Sequence, residues 1–290
     1  MPIRRLHAHA KINIGLEVLG KRPDGFHEIR SVFVPITLAD VVTAEDSPVD
    51  SVTCLPAVTD KPENNLAYRA MQAIRSRANA FDRTAKITVD KHIPTGGGLG
   101  GGSSDAAAVL KLLNDQWKLG LSQTDLRHLG AELGSDVPFF VDEQISLVEG
   151  RGEQISRLDL TLPYHIVIVV SGIHVSTPEA YAALGREPLA PADTAPSGRD
   201  QFLASVLPFF TSEPMQASPN TMPVNDFEPA IFQQHPALPR IKQQLYDSGA
   251  IYAAMSGSGS TMYALFATEQ GGKAALEGFR HLTAYLCQPL

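Results

Sequence analysis

Apolar and polar positions repeat along this chain at two periods, and the changes between them mark the elements. Ala8–Leu19 alternates and is rich in β-branched residues, which predicts a strand. Lys21-Arg-Pro-Asp-Gly25 follows as a turn, because Pro fixes φ and Asp-Gly favours chain reversal. Ser31–Ile36 and Asp40–Thr43 predict two further strands. The period then becomes helical: Asn65–Ala78 places Leu66, Ala70, Met71 and Ile74 on one face. Lys86–Asp90 reads as a strand, and Ser104–Trp117 as a helix with Val109, Leu112, Leu113 and Trp117 on its buried stripe. Ser122-Gln-Thr-Asp125 is a capping box that opens another helix, ended by Gly134, and Ile145–Gly150 predicts a strand.

A compositional change near Leu160 predicts a second domain, giving 1–158 and 159–290. Tyr164–Val170 is a near-continuous apolar strand, and Thr177-Pro178-Glu179 a helix start with Thr as cap and Pro at the first helical position. Residues 186–224 carry seven prolines around the apolar Phe202–Phe210, the pattern of a long surface excursion. Ile241–Asp247 is helical. Ala250–Met255 and Met262–Phe266 are strands joined by Ser256-Gly-Ser-Gly-Ser-Thr261.

The densest chemical signal is Gly96-Gly97-Gly98-Leu99-Gly100-Gly101-Gly102-Ser103-Ser104, six glycines in the seven positions 96–102, running into the predicted helix. Bare backbone allows positive φ and consecutive inward N–H groups, and the helix adds its amides and positive dipole end. That combination is a phosphate cradle. Other patterns fit the same residues less well. Gly96, Gly98 and Gly101 match a dinucleotide fingerprint, but Pro94 intervenes after the strand. The required acidic residue also falls where Asp115-Gln-Trp-Lys-Leu-Gly-Leu reads as a helix end. Gly97-x4-Gly102 matches a P-loop, but Ser103-Ser104 stands where it needs lysine. A flexible linker would not lead at once into an amphipathic helix.

Composition limits the partners. The chain has 290 residues, 43% hydrophobic and 19% charged, as in an ordinary globular protein of one large or two medium domains. A net charge of −7 argues against a nucleic-acid surface. It also means that positive charge needed against a polyphosphate must be local. Cys54 and Cys287 lack metal or redox spacing and fit buried thiols in a reducing cytoplasm. No signal peptide is evident, and no apolar run is long enough to span a membrane.

Phosphoryl transfer needs positioning, charge neutralisation and a proton acceptor. Lys11, alone among apolar residues on a predicted strand, is either an edge-strand guard or a functional charge, and Asn13 shares its face. Asp136, in Gly134-Ser-Asp-Val-Pro-Phe140, is either a turn aspartate or a proton acceptor paired with Lys11. Ser256–Thr261 is either a hairpin turn or a second wall of one anion site. His27 is either an exposed turn residue or a reader of a base edge, with Phe26 and Tyr181 as the stacking aromatics.

Taken in order, Ala10-Lys-Ile-Asn13, Arg22–His27, Asn65-Leu66, Lys91–Ala108, Gly134–Pro138, Val175–Thr177, Asn225–Glu228 and Met255–Thr261 resemble the GHMP kinases over nearly the whole chain. The resemblance implies an α/β (α+β) fold of two domains with the active site in the cleft between them, 1–158 binding ATP and 159–290 the acceptor. It implies ATP-dependent phosphorylation of an alcohol, and within the family it is closest to the branch acting on a cytidyl diphosphate-linked polyol. Homoserine- or mevalonate-type kinases and a non-catalytic regulator are the alternatives. Asp136 would be the base and Lys11 its partner. Pro94, Gly96, Gly97, Gly98, Leu99, Gly100, Gly101, Gly102, Ser103 and Ser104 would hold the ATP phosphates, with Lys91 and Asn65 near the nucleotide. Asn13, Phe26, His27, Thr177 and Tyr181 would line the acceptor site, Phe26 standing where the family often has Tyr. Magnesium is implied by ATP chemistry, with its ligands unassigned and Ser104 one candidate. The expected partners are small molecules only, with the protein acting as a monomer or homodimer.

Overall fold

Strand β1 (Arg4–Lys21) and strand β2 (His27–Asp46) pair with one another. Asp24 shapes the turn between them, accepting the Phe26 amide at 3.1 Å. The sequence predicts a break between Ile36 and Asp40, yet β2 runs through it. The backbone there is satisfied from far along the chain: Thr37 N–H donates to the Gln288 carbonyl at 2.9 Å, and Leu290 N–H to that of Pro35 at 3.1 Å. With these partners Pro35 costs the strand only its own missing donor.

The computed structural model describes residues 3–59, 61–189, 198–211 and 222–290. Packing divides the chain into two units, neither continuous in sequence. Met1–Ala10, Leu38–Thr95 and Gly100–Glu143 make the first; Lys11–Thr37, Gly96–Leu99 and Gln144–Leu290 make the second. A single boundary after residue 158 does not describe this packing, because β1 and β2 are long enough to supply both units.

In the first unit, Val41–Asp46 of β2 pairs antiparallel with β4 (Ala85–Asp90), and β4 pairs parallel with the short β3 (Ser51–Leu55), which the alternation did not predict. Helices α1 (Leu66–Arg77), α2 (Gly101–Gln116), α3 (Gln123–Leu133) and α4 (Val137–Asp142) complete it. The expected stripe of α2 is buried, and so are Ala106, Ala107, Ala108 and Leu110. This helix is buried on nearly every side because α1, α3 and α4 all pack on it. It starts at Gly101, ahead of the predicted Ser104, so Ser103 and Ser104 lie inside its first turn and do not cap it.

In the second unit, Ile29–Phe33 of β2 pairs antiparallel with β5 (Ser146–Gly150), which pairs with β6 (Gln154–Arg157). A separate antiparallel sheet has the order β10-β7-β9-β8, from β7 (His165–Val170), β8 (Tyr252–Met255), β9 (Met262–Phe266) and β10 (Thr283–Cys287). Helices α5 (Thr177–Leu184), α6 (Arg199–Val206), α7 (Glu228–Gln234), α8 (Ala237–Asp247) and α9 (Glu269–Glu277) belong to this unit. Val167, Val169, Met255, Met262 and Ala264 form a core with Phe227, Ile231, Leu238, Leu245 and Phe279. The proline-rich excursion is partly core: α6 and the turn after it bury Phe202, Val206, Phe209 and Phe210. Residues 190–197 and 212–221 of that stretch lie outside the described residues. Thr177 is the first residue of α5 rather than its cap, which is Ser176, with Pro178 in the first turn. Cys54 and Cys287 are both buried. Among the described residues no helix is long and apolar enough to cross a membrane.

The Ser122 capping box forms as predicted, its hydroxyl taking the Asp125 amide while the Asp125 carboxylate takes the Ser122 amide. Ser122→Ala removes that cap and is expected to cost about 1 kcal/mol, lowering the urea midpoint. Ser122→Thr is expected to retain most of it.

Candidate functional site

The glycine loop holds alternating backbone conformations. φ is +72° at Gly96, +79° at Gly98 and +75° at Gly100, with Gly97 and Leu99 outside that region. Such alternation is the geometry of an anion nest. Three loop carbonyls are occupied within the second unit. Gly97 accepts from Thr261 N–H at 3.3 Å, Leu99 from Lys11 N–H at 3.0 Å, and Gly98 from the Ser256 hydroxyl at 3.0 Å. Across a trans peptide the N–H points away from the C=O, so the amides of Gly98, Leu99 and Gly100 face the opposite side. Gly100 then opens α2 in the left-handed conformation with no side-chain cap. The first-turn amides of a helix have no intrahelical acceptors. Ser104 Oγ is buried there without a hydrogen-bond partner. Nest, helix start and hydroxyl follow one another along the chain, and each is of a kind that suits an anion.

The turn from Ser256 to Thr261 is more than a hairpin connection. Asn225 Nδ2 donates to the carbonyls of Met255 (2.7 Å) and Gly257 (2.8 Å), and its Oδ1 accepts from Phe227 N–H at 3.0 Å. Glu228 accepts the Met255 amide at 2.8 Å. Ser171 donates to Ser260 Oγ at 2.8 Å, Ser260 donates to the Ile173 carbonyl, and Thr177 Oγ1 lies 3.0 Å from Ser258 Oγ. Asn225 and Glu228 had no role predicted, although an Asn-Asp pair after Pro223 is a turn-forming signal.

Lys11 is buried, which excludes an edge-strand guard. Its Nζ donates to Asn13 Oδ1 at 2.6 Å and lies 4.7 Å from the centre of the Phe33 ring. A Cβ placed on Gly257 would stand 3.5 Å from that nitrogen, so the ammonium lies beside the second loop. Asn13 donates to Ser31 Oγ at 3.0 Å, and Ser31 donates to the Gly15 carbonyl at 2.5 Å, which fixes the amide that orients Lys11.

In the first unit, Lys91 lies between two carboxylates. Its Nζ donates to Asp105 Oδ2 at 2.7 Å and to Asp40 Oδ2. Asp40 Oδ1 accepts the amides of His92 at 2.5 Å and Ile93 at 2.7 Å, just before Pro94 and the loop. Burial pulls the Lys91 ammonium down, but Asp105 and Asp40 outweigh it and hold the group above the usual lysine range. Burial pushes Asp105 up to about 7; Lys91 opposes that shift and Asp40 adds to it. Asn65 caps α1, accepting from Ala67 N–H at 2.9 Å, and donates to Cys54 Sγ at 3.1 Å. Asp136 is half-buried at the N-cap position of α4 and makes no side-chain cap bond. The sequence assigns no site role to Asp40, at the start of a predicted strand, or to Asp105.

Among the aromatics, His27 stacks on Tyr181 with centroids 4.5 Å apart and planes 17° apart. Tyr181 meets Phe227 edge-on at 4.9 Å. Tyr181 thus braces His27, and the expected open face of Tyr181 is already taken. Phe26 is 48% exposed, with the Arg151 guanidinium 4.9 Å from its ring centre. Burial, helped by the Lys21 charge, holds the His27 imidazole below the usual histidine range. Near neutral pH it therefore presents one donor and one acceptor. Among the described residues no group of three or more His, Cys, Asp or Glu is placed to hold a metal.

Known proteins resemble this chain over nearly its whole length. The model of the GHMP kinases N terminal domain matches residues 65–144, and that of the GHMP kinases C terminal domain residues 212–282. A 4-diphosphocytidyl-2-C-methyl-D-erythritol kinase of Chlorobium phaeobacteroides is 38% identical over 97% of this chain and 96% of its own. The enzyme of that name from Gloeobacter violaceus is 38% identical over 98% of this chain and 93% of its own. A crystal structure of 4-(cytidine 5'-diphospho)-2C-methyl-D-erythritol kinase superposes with a TM-score of 0.79 at 30% identity, covering 99% of both chains.

A Cβ at Gly98 would collide with the Ser256 carbonyl, at a φ of +79° that L-residues rarely adopt. Gly98→Ala is therefore expected to cost ~1–3 kcal/mol at the cradle, a roughly 5- to 150-fold loss of ATP affinity by calorimetry. Gly25→Ala, whose Cβ would meet nothing within 4 Å, is expected to leave that affinity unchanged.

Proposed function

The chain belongs to the GHMP kinases, and we propose that it transfers the γ-phosphoryl group of ATP to the 2-hydroxyl of 4-diphosphocytidyl-2-C-methyl-D-erythritol. The products are the 2-phosphate and ADP, in non-mevalonate isoprenoid precursor synthesis. The observation that carries this reading is the nest of alternating glycines feeding the start of α2. Full-length relatives that act on that acceptor support the choice of substrate.

In the reaction the acceptor oxygen forms a bond to the γ-phosphorus and the bond from that phosphorus to the β,γ-bridging oxygen breaks, releasing ADP. The proton of the hydroxyl passes to the Asp136 carboxylate. Lys11, oriented by Asn13, supplies positive charge at the transferring group. The amides of Gly96–Ser103 bind phosphate oxygens without adding a cation to the chain. The unpartnered, buried Ser104 Oγ fits a magnesium ion that takes most of its ligands from phosphate and water, and Ser104 is the residue that would hold it. When bound, that ion offsets charge on the β- and γ-phosphates.

The neutral His27 reads a base edge, Phe26 offers the exposed ring for stacking, and Tyr181 acts as the brace behind His27. Thr177 contacts the acceptor from the start of α5. A homoserine- or mevalonate-type acceptor has no flat ring and would leave these aromatics without a ligand. A binding-only regulator has no use for a proton acceptor.

The direct assay incubates the purified protein with ATP and either the cytidyl acceptor, homoserine or mevalonate; ADP release is expected with the first alone. Asp136→Asn is expected to bind both substrates and to lose kcat by roughly a hundredfold or more. Near-normal turnover would remove Asp136 from its role. Phe26→Ala is expected to raise KM for the cytidyl acceptor with KM for ATP unchanged; the opposite pattern would exchange the two sites.

A further inference from the structure

Both ends of the glycine loop are anchored to one buried ion cluster. At the entry, Asp40 of β2 gathers the chain through the amides of His92 and Ile93, two bonds to one carboxylate oxygen. At the exit, Asp105 lies one turn into α2, beyond Gly101–Ser104. Lys91 joins the two, donating to one oxygen of each carboxylate. Side-chain exposure is 6% for Lys91, 0% for Asp40 and 6% for Asp105, so none of these charges is solvated. A Cβ on Gly101 would stand 3.4 Å from Lys91 Nζ, which places the ammonium directly beneath the first residue of the helix. Asn65 and Cys54 lie on the same side, bonded to one another, and Asp105 Oδ1 is buried with no partner.

We propose that Asp40, Lys91 and Asp105 form a positioning unit that fixes entry and exit of the glycine loop, Lys91 acting on the nucleotide through the loop without touching it. The inference rests on the nucleotide reading of that loop and revises the part expected of Lys91. The ammonium is committed to two carboxylates in a buried place. Its removal takes away the ammonium that bridges the two carboxyls, and Asp105, which burial and Asp40 already push up, is no longer drawn to Asp40 through a shared cation. The carboxyls separate, and the two chain segments they hold separate with them. The alternating amides then lose their common focus. A cluster serving stability alone would alter the unfolding midpoint and leave the balance between the two substrates untouched.

The test uses the full chain, with ATP dissociation constants from calorimetry beside KM values for ATP and for the cytidyl acceptor. Lys91→Met is expected to weaken ATP binding tenfold or more and to leave the acceptor KM within twofold. Adding Asp105→Asn to it gives Asp40 an uncharged amide donor in place of a carboxyl and is expected to restore most of the lost ATP affinity, as Lys91→Arg does in part. If Lys91 touched phosphate, the double variant would bind ATP no better than Lys91→Met, and that result overturns the proposal. Unchanged ATP affinity in Lys91→Met overturns it as well. Should Lys91→Met not fold, Asp105→Asn alone decides: a two- to fivefold weaker ATP constant with an unchanged acceptor KM supports the proposal, and an unchanged ATP constant overturns it. A wild-type protein that binds ATP but does not phosphorylate the acceptor defeats the proposed reaction, while the calorimetric comparison still decides the role of Lys91.

Discussion

An acidic chain that binds a polyanion has to present positive potential without spending many cations, and in the proposed cradle the peptide backbone supplies it. The condition is directional. Amides of the glycine loop can face a ligand only if the carbonyls between them are satisfied on the other side. Thr261, Ser256 and Lys11 provide that satisfaction at Gly97, Gly98 and Leu99. The second Gly/Ser loop therefore acts as the backing against which the first is aimed. Asn225 and Glu228 hold the backing itself, by bonding to the backbone of Met255 and Gly257. Loss of any of these acceptor bonds turns a peptide plane, and with it one amide of the cradle.

Lys11 and Lys91 belong to different units, and each ammonium has partners that fix it. Lys11 donates to Asn13 Oδ1 and lies beside the Phe33 ring. Lys91 is set between the carboxyls of Asp40 and Asp105. The roles proposed for them differ: Lys11 brings charge to the reacting group, and Lys91 keeps the chain around the loop in place. Burial strengthens both arrangements, since a charge removed from water interacts mainly with the few groups that touch it.

The aromatic residues of the second unit, proposed to meet the acceptor, follow another rule. There a series of rings leads outward from the core, from the buried Phe227 through Tyr181 to His27. Each ring limits the freedom of the next, so the imidazole at the end is held flat at little further entropic cost. Phe26, next to it in the chain, keeps an exposed ring on a turn shaped by Asp24.

Much of this protein is legible in local sequence. Period and turn chemistry located β9, the Ser122 box and the buried stripe of α2, because those features depend on residues a few positions apart. The ordered motifs likewise declared the family. Other features were invisible for a common reason. The continuity of β2 depends on the last residues of the chain, the Asp40 to Lys91 bond joins positions 51 apart, and the Ser256 to Gly98 bond joins positions 158 apart. Local pattern singled out Gly98, Ser256 and Lys91 but not which groups they bond. Sequence alone thus determined where backbone had to be bare and which residue types stood ready for phosphoryl chemistry. Only the tertiary structure decided which way the amides face and that Lys91 is tied to Asp40 and Asp105, because hydrogen-bond direction and charge pairing are set by groups that folding brings from distant parts of the chain.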